Sequence, residues 1–166
     1  VKEWYGYEFP KATSFDRFSV TDVDADGLPE LLLELLDTEG YPFGYELIRY
    51  ENGEVYGYPF VVRAMEQVTR EGDVFASSGA DDNGWYQLRF SGDQVQWITT
   101  CHTQSNADHS AVHYWIGDQE VAKAEYDARA AQISSREPIV WLPYAEDALR
   151  TVVAKFTQPQ SSDQPK

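Results

Sequence analysis

Asp22, Asp24 and Asp26 stand at every second position, Gly27 follows at once, and Glu30 closes the series. Acids at alternate positions turn toward one point when the chain curls, and calcium takes six to eight hard oxygen ligands at about 2.3 to 2.6 Å. The segment offers Asp22, Asp24, Asp26, the Leu28 carbonyl and Glu30, with water completing the shell. Gly27 permits the sharp turn that would direct the Leu28 carbonyl inward. Carboxylates held ~4 to 5 Å apart repel by about 1 kcal/mol per pair even at water-like dielectric, and a divalent cation reverses that penalty. Without it the loop is expected to loosen, or one Asp to take up a proton. The expected ion is therefore a structural calcium.

The kind of loop follows from the flanks. An EF-hand places a bidentate Glu at its twelfth position, and counting from Asp22 that slot is Leu33. Residues 18–20 and 31–35 suit a strand-loop-strand arrangement instead, with Leu31, Leu33 and Leu35 on one face and Glu30 and Glu34 on the other. A helix over 31–36 stays open, because Leu and Glu are good helix formers. The series from Asp22 to Glu30 resembles the D-x-D-x-D-G-x-x-[DE] calcium hairpin of FG-GAP/VCBS repeats, as in integrin-type propellers; the likeness covers the loop and not the fold. Phe18, the acidic loop and the hairpins after it also resemble uncharacterised secreted or lipid-anchored proteins of Gram-positive gut bacteria. Gly117-Asp118-Gln119-Glu120-Val121 with Glu125-Tyr126 is similar to their G-x-E-V-S-x-x-E-[YF], although Ala122 replaces the serine that would cap a helix. That resemblance implies an extracytoplasmic address, secreted or anchored at the cell surface, and no activity.

A second set of ligand-type side chains is Cys101, His102, His109 and His113, with Asp108 between them. His109 and His113 share parity, so a zinc site with a third ligand can be drawn, yet the spacing matches no established zinc signature. Paired carboxylates for glycoside hydrolysis are the other catalytic alternative in a chain with 28 acids. Either would make a small hydrolase. Aromatics are abundant, and on an open sheet they would form a platform for a carbohydrate or peptide; the plainer expectation is that they fill strand faces.

Composition sets the frame for these sites. The chain has 166 residues and a formal charge of -15, with 18 acids and 6 bases in residues 1–83. Such a field repels phosphate backbones and anionic lipids, so nucleic acid and polybasic membrane docking fall away. No apolar run approaches the roughly 18 residues of a membrane span. One cysteine closes no intrachain disulfide. The opening Val1-Lys2-Glu3-Trp4, with neither an initiator methionine nor a signal peptide, is what trimming to a mature form would leave.

Turn chemistry recurs at Asp26-Gly27, Asn52-Gly53, Gly72-Asp73, Asn83-Gly84, Gly92-Asp93 and Gly117-Asp118. Such pairs supply positive φ between apolar-rich runs and predict hairpins over 45–58, 85–98 and 111–121. Ala145, Ala148, Leu149, Val152, Val153 and Phe156 then repeat at helical spacing after Pro143, and an Ala-rich stretch over 122–133 predicts a second helix. The expected fold is α+β, mainly β: an antiparallel, strongly curved meander of hairpins covered by one or two C-terminal helices. Residues 1–157 form one domain and 158–166 a disordered tail. The preferred reading is a noncatalytic, calcium-stabilised module that binds a protein or carbohydrate ligand; a segment packing on other domains of a longer chain is a third possibility.

Overall fold

The computed structural model describes residues 14–157, so the expected tail over 158–166 and residues 1–13 of the expected domain lie outside it. Successive hairpins join β1 (Ser14–Thr21), β2 (Glu30–Leu36), β3 (Pro42–Glu51) and β4 (Glu54–Val61) into one antiparallel sheet. A second antiparallel sheet holds β5 (Gln67–Val68), β6 (Asp73–Ser77), β7 (Asn83–Ser91), β8 (Gln94–Ser105), β9 (Val112–Ile116) and β10 (Gln119–Val121) in sequence order. The chain then forms helix α1 (Lys123–Ser134), returns to the first sheet as β11 (Leu142–Pro143) beside β1, and ends in helix α2 (Glu146–Thr157). This is the mainly β, antiparallel α+β fold expected, with both helices present. No helix among the described residues is long and apolar enough to cross a membrane.

Period-two patterning explains the layers. Leu32, Tyr45, Leu47, Tyr58 and Phe60 of the first sheet meet Val74, Leu88 and Phe90 of the second in a shared core. The alternate residues of the first sheet, Phe18, Leu33, Leu35 and Ile48, pack under Ala148, Leu149 and Val152 of α2. On the far side, Trp85 and Cys101 pack against Ile133, the only buried residue of α1. Each helix thus covers the outer face of one sheet. The Leu-rich segment is strand β2 because it pairs on both sides, with β1 and β3, and buries both of its faces; tertiary context overrides helix propensity there.

One expected turn is displaced. Asn83 and Gly84 are not a turn but the start of β7, paired with Ser77 and Ala76, and the chain reverses over 78–82 instead. Gly84 serves close approach: a Cβ there would lie 2.6 Å from the His102 Cβ and 2.8 Å from the Cys101 carbonyl oxygen. Pro143, expected just ahead of a helix, pairs with Arg17 in β11, and α2 begins three residues later.

Candidate metal centre

The acidic loop joins β1 to β2 and reaches across to the second sheet. Val23 plugs the core between the sheets, and a Cβ on Gly72, in the β5–β6 turn, would collide with the Val23 carbonyl. Arg89 of β7 donates from Nη1 to the Asp24 carbonyl over 2.5 Å. Ala25 and Gly27 take φ of 57° and 91°, which folds the loop back on itself.

That curl gathers the acids. Asp22 accepts the Asp26 and Gly27 N–H groups at 3.1 and 2.9 Å, and Glu30 Oε2 accepts the Val23 N–H at 2.9 Å. One ligand oxygen each from Asp22, Asp24 and Glu30 lies within 4.8 Å of the other two. Two oxygens on one calcium sit no further apart than twice the bond length, roughly 4.6 to 5.2 Å, so the three fit a common ion. The donor set is wholly hard oxygen, which suits calcium or magnesium over softer metals.

The other two expected ligands are placed differently. Asp26 accepts the Leu28 N–H at 2.8 Å and turns its second oxygen to Arg49. Leu28 itself is exposed.

Arg49, on β3, was not anticipated from the sequence. Only 5% exposed, it donates from Nη1 to Asp24 Oδ2 and Glu30 Oε1, both at 3.0 Å, and from Nη2 to Asp26 at 2.5 Å. The expectation that only a cation can reconcile these acids is therefore corrected: a guanidinium compensates part of their charge, because β3 brings it in from a distant part of the chain. Asp24, Asp26 and Glu30, with Glu51 at 3.7 Å from Nε, still face one arginine here. Burial, with Asp24 and Asp26 adding repulsion, pushes the Glu30 carboxyl up to about 7 against the pull of the Val23 N–H and Arg49. Burial raises Asp24 as well, opposed by Arg49. For Asp26 burial is outweighed by the Leu28 N–H and Arg49, which hold it below the usual carboxylate range. The acid poised to take up a proton is thus a Glu.

No protein-family model, curated protein or solved structure matches the chain.

The histidines do not assemble. His113 Nδ1 pairs with Glu120 at 2.6 Å, the His102 ring stacks on Trp115, and His109 sits at φ 56° in the β8–β9 loop. Among the described residues the three acids are the only metal-sized group of three such side chains. Cys101 is fully buried. The described tryptophans are mostly covered: Trp85 is 3% exposed, Trp97 packs on Phe60 and Tyr86, and Trp141 lies between Tyr45 and Arg17. Tyr41 and Tyr50 are the most exposed of the described aromatic side chains, in the β2–β3 loop and near the end of β3.

Proposed function

We propose that this chain is a calcium-stabilised, noncatalytic binding domain of a secreted or surface-anchored bacterial protein. The observation that carries the reading is the convergence of Asp22, Asp24 and Glu30, two of them buried, on a loop fastened to both sheets. A cation there ties the β1–β2 hairpin to the turn and strand of the second sheet, so its role is to hold the fold rather than to activate a substrate. Hard-oxygen ligation by few carboxylates, two of them shared with Arg49, corresponds to an affinity on the order of 0.1 to 1 mM, the range of extracellular modules. Such a site fills outside the cell. The hairpin's likeness to FG-GAP/VCBS loops supports the same ion, and the wider likeness to secreted proteins supports the same address.

Thermal unfolding with calcium and with chelator tests this. At about ten times its dissociation constant calcium adds about 1.4 kcal/mol, a rise of roughly 3 to 6 °C for a chain of this length. Asp22→Asn, which removes a converging carboxylate outside the Arg49 network, abolishes the difference. Identical melting curves in both media would overturn the reading.

A further inference from the structure

At the edges of the two sheets, between β5 and the start of β1, the surface opens into a cleft of about 300 Å³. Its lining is apolar at depth: Met65, Val68, Trp85 and Ile139 are each at most 6% exposed. Toward the mouth stand two arginines, Arg17 and Arg136, with Trp141.

Both guanidiniums are held by buried acids. Arg17 gives Nε and Nη2 to Glu34 at 3.0 and 2.7 Å and lies 4.7 Å over the Trp141 ring. Arg136 gives Nη1 to Asp73, which also accepts the Thr69 hydroxyl. Glu34 and Asp73 are 3% and 1% exposed, so neither competes for ligand at the surface. A guanidinium carries five N–H donors in a fixed fork. Beyond its carboxylate pair Arg17 also hydrogen-bonds the Tyr45 side chain in the same lining, which leaves it part of its fork, and Arg136 keeps Nε and Nη2. Buried ion pairs add little net stability compared with apolar packing, whereas they fix an orientation. Here the orientation fixed is that of two donors beside an apolar hollow.

We propose that this cleft binds a small organic carboxylate with an apolar or aromatic body, its two oxygens taken by Arg17 and Arg136 and its body by Met65, Val68 and Ile139. The volume is at the small end of ligand pockets, roughly 300 to 1,000 Å³. Charge selects the monoanion. Each arginine is already matched by an acid, Glu66 lines the same cleft, and the whole chain carries -15, so recognition comes from directed N–H bonds and apolar burial. A phosphate dianion would meet the opposing field twice over. This site goes beyond the cation reading and shares no residue with it.

The source of the carboxylate is either a free aryl acid or the C-terminus of a peptide, and two probes separate them: phenylacetate and N-acetyl-Gly-Phe. Titration of the ¹⁵N-labelled chain, once in calcium and once in chelator, is expected to give saturable shifts at the Val68, Arg136 and Trp141 amide resonances with at least one probe in at least one medium. The matching neutral amide should bind about tenfold more weakly or worse, since it loses the charge-assisted bonds. Arg136→Lys keeps a cation for Asp73 but loses the fork, and should weaken binding about tenfold. Ser134→Phe, at an exposed lining position, should abolish it by filling the mouth and keeps the test decisive where the arginine variant fails to fold. Absence of saturable shifts with both probes in both media, equal affinity for acid and amide, or full binding by Ser134→Phe would each overturn the proposal.

Discussion

Arg49 Nη1 lies 3.0 Å from Glu30 Oε1, a guanidinium and a carboxylate that are both buried at the join of the two sheets. The same nitrogen reaches Asp24, so one side chain bridges two of the three acids that lie close enough to hold a cation. A divalent ion held by these acids would answer the same excess of negative charge as the arginine, and each would lessen the need for the other.

Arg49→Met should separate their contributions. Removing one partner of a buried ion-pair network leaves uncompensated charge and costs about 3 to 5 kcal/mol. Urea unfolding in chelator should show that loss in full. In saturating calcium the loss should shrink, because the ion takes over Asp24 and Glu30, and the variant should bind calcium more tightly than the parent chain. An equal loss in both media would show that Arg49 and the cation do not share these acids.

The acidic hairpin is legible in the sequence because everything that shapes it is local: alternating acids, a glycine and a β-type flank lie within a dozen or so residues. Arg49 stands 25 positions from Asp24, and no turn or spacing connects the two. Its one signal is parity. Tyr45, Leu47 and Arg49 alternate along β3, so the arginine had to face the core with the other two and needed an acid there. Glu34 is a second inward acid of this sort, paired with Arg17 at the surface.

The hairpins and both helices were readable from turn chemistry and period, but the division into two sheets was not. Hairpin turns look alike whether the next strand stays in the sheet or leaves it, and the departure after β4 is made over a few residues that carry no distinctive composition. The cleft escaped for a related reason, since its lining comes from β1, β3, β5 and its flanks, β7, and the end of α1 with the segment after it. Asn83-Gly84 misled because glycine answers two demands, positive φ in a turn and close approach in a strand, and composition does not distinguish them.

Gly84→Ala tests which demand applies. The added methyl meets the His102 Cβ and the Cys101 carbonyl oxygen, atoms fixed by β8 that cannot swing aside. Overpacking of this kind costs about 1 to 3 kcal/mol. Denaturant unfolding should show that loss, with cooperativity unchanged; a neutral substitution would mean that the strands part easily at this point.

His102 gives the chain a pH dependence of known sign. Burial holds its pKa below the ordinary value, and the buried Nδ1 has no hydrogen-bond partner to accept a proton's bond. The unfolded chain therefore binds the proton first, near pH 6.5. Stability from this group is complete above that value and is lost as pH falls from it toward the folded pKa. Subtracting the stability of His102→Gln from that of the parent, at several pH values between 7.5 and 5, should give a difference that declines with falling pH. A flat or rising difference would mean that the ring is protonated in the fold.

Ile133 is the anchor on which α1 depends. The helix has weak amphipathic character, its N-cap Ala122 makes no side-chain bond, and Ile133 is its only buried residue, fully enclosed with Trp85 and Cys101. Ile133→Ala removes most of that contact and leaves a cavity, for a loss of about 2 to 5 kcal/mol. The loss should be uneven. Amide exchange should quicken first along α1 and in the outer strands β9 and β10, while the paired β2 and β3 keep their protection until global unfolding. Uniform acceleration across both sheets would mean that α1 is integral to a single cooperative core; unchanged exchange in α1 would mean that Tyr126 and Ala130 hold the helix without it.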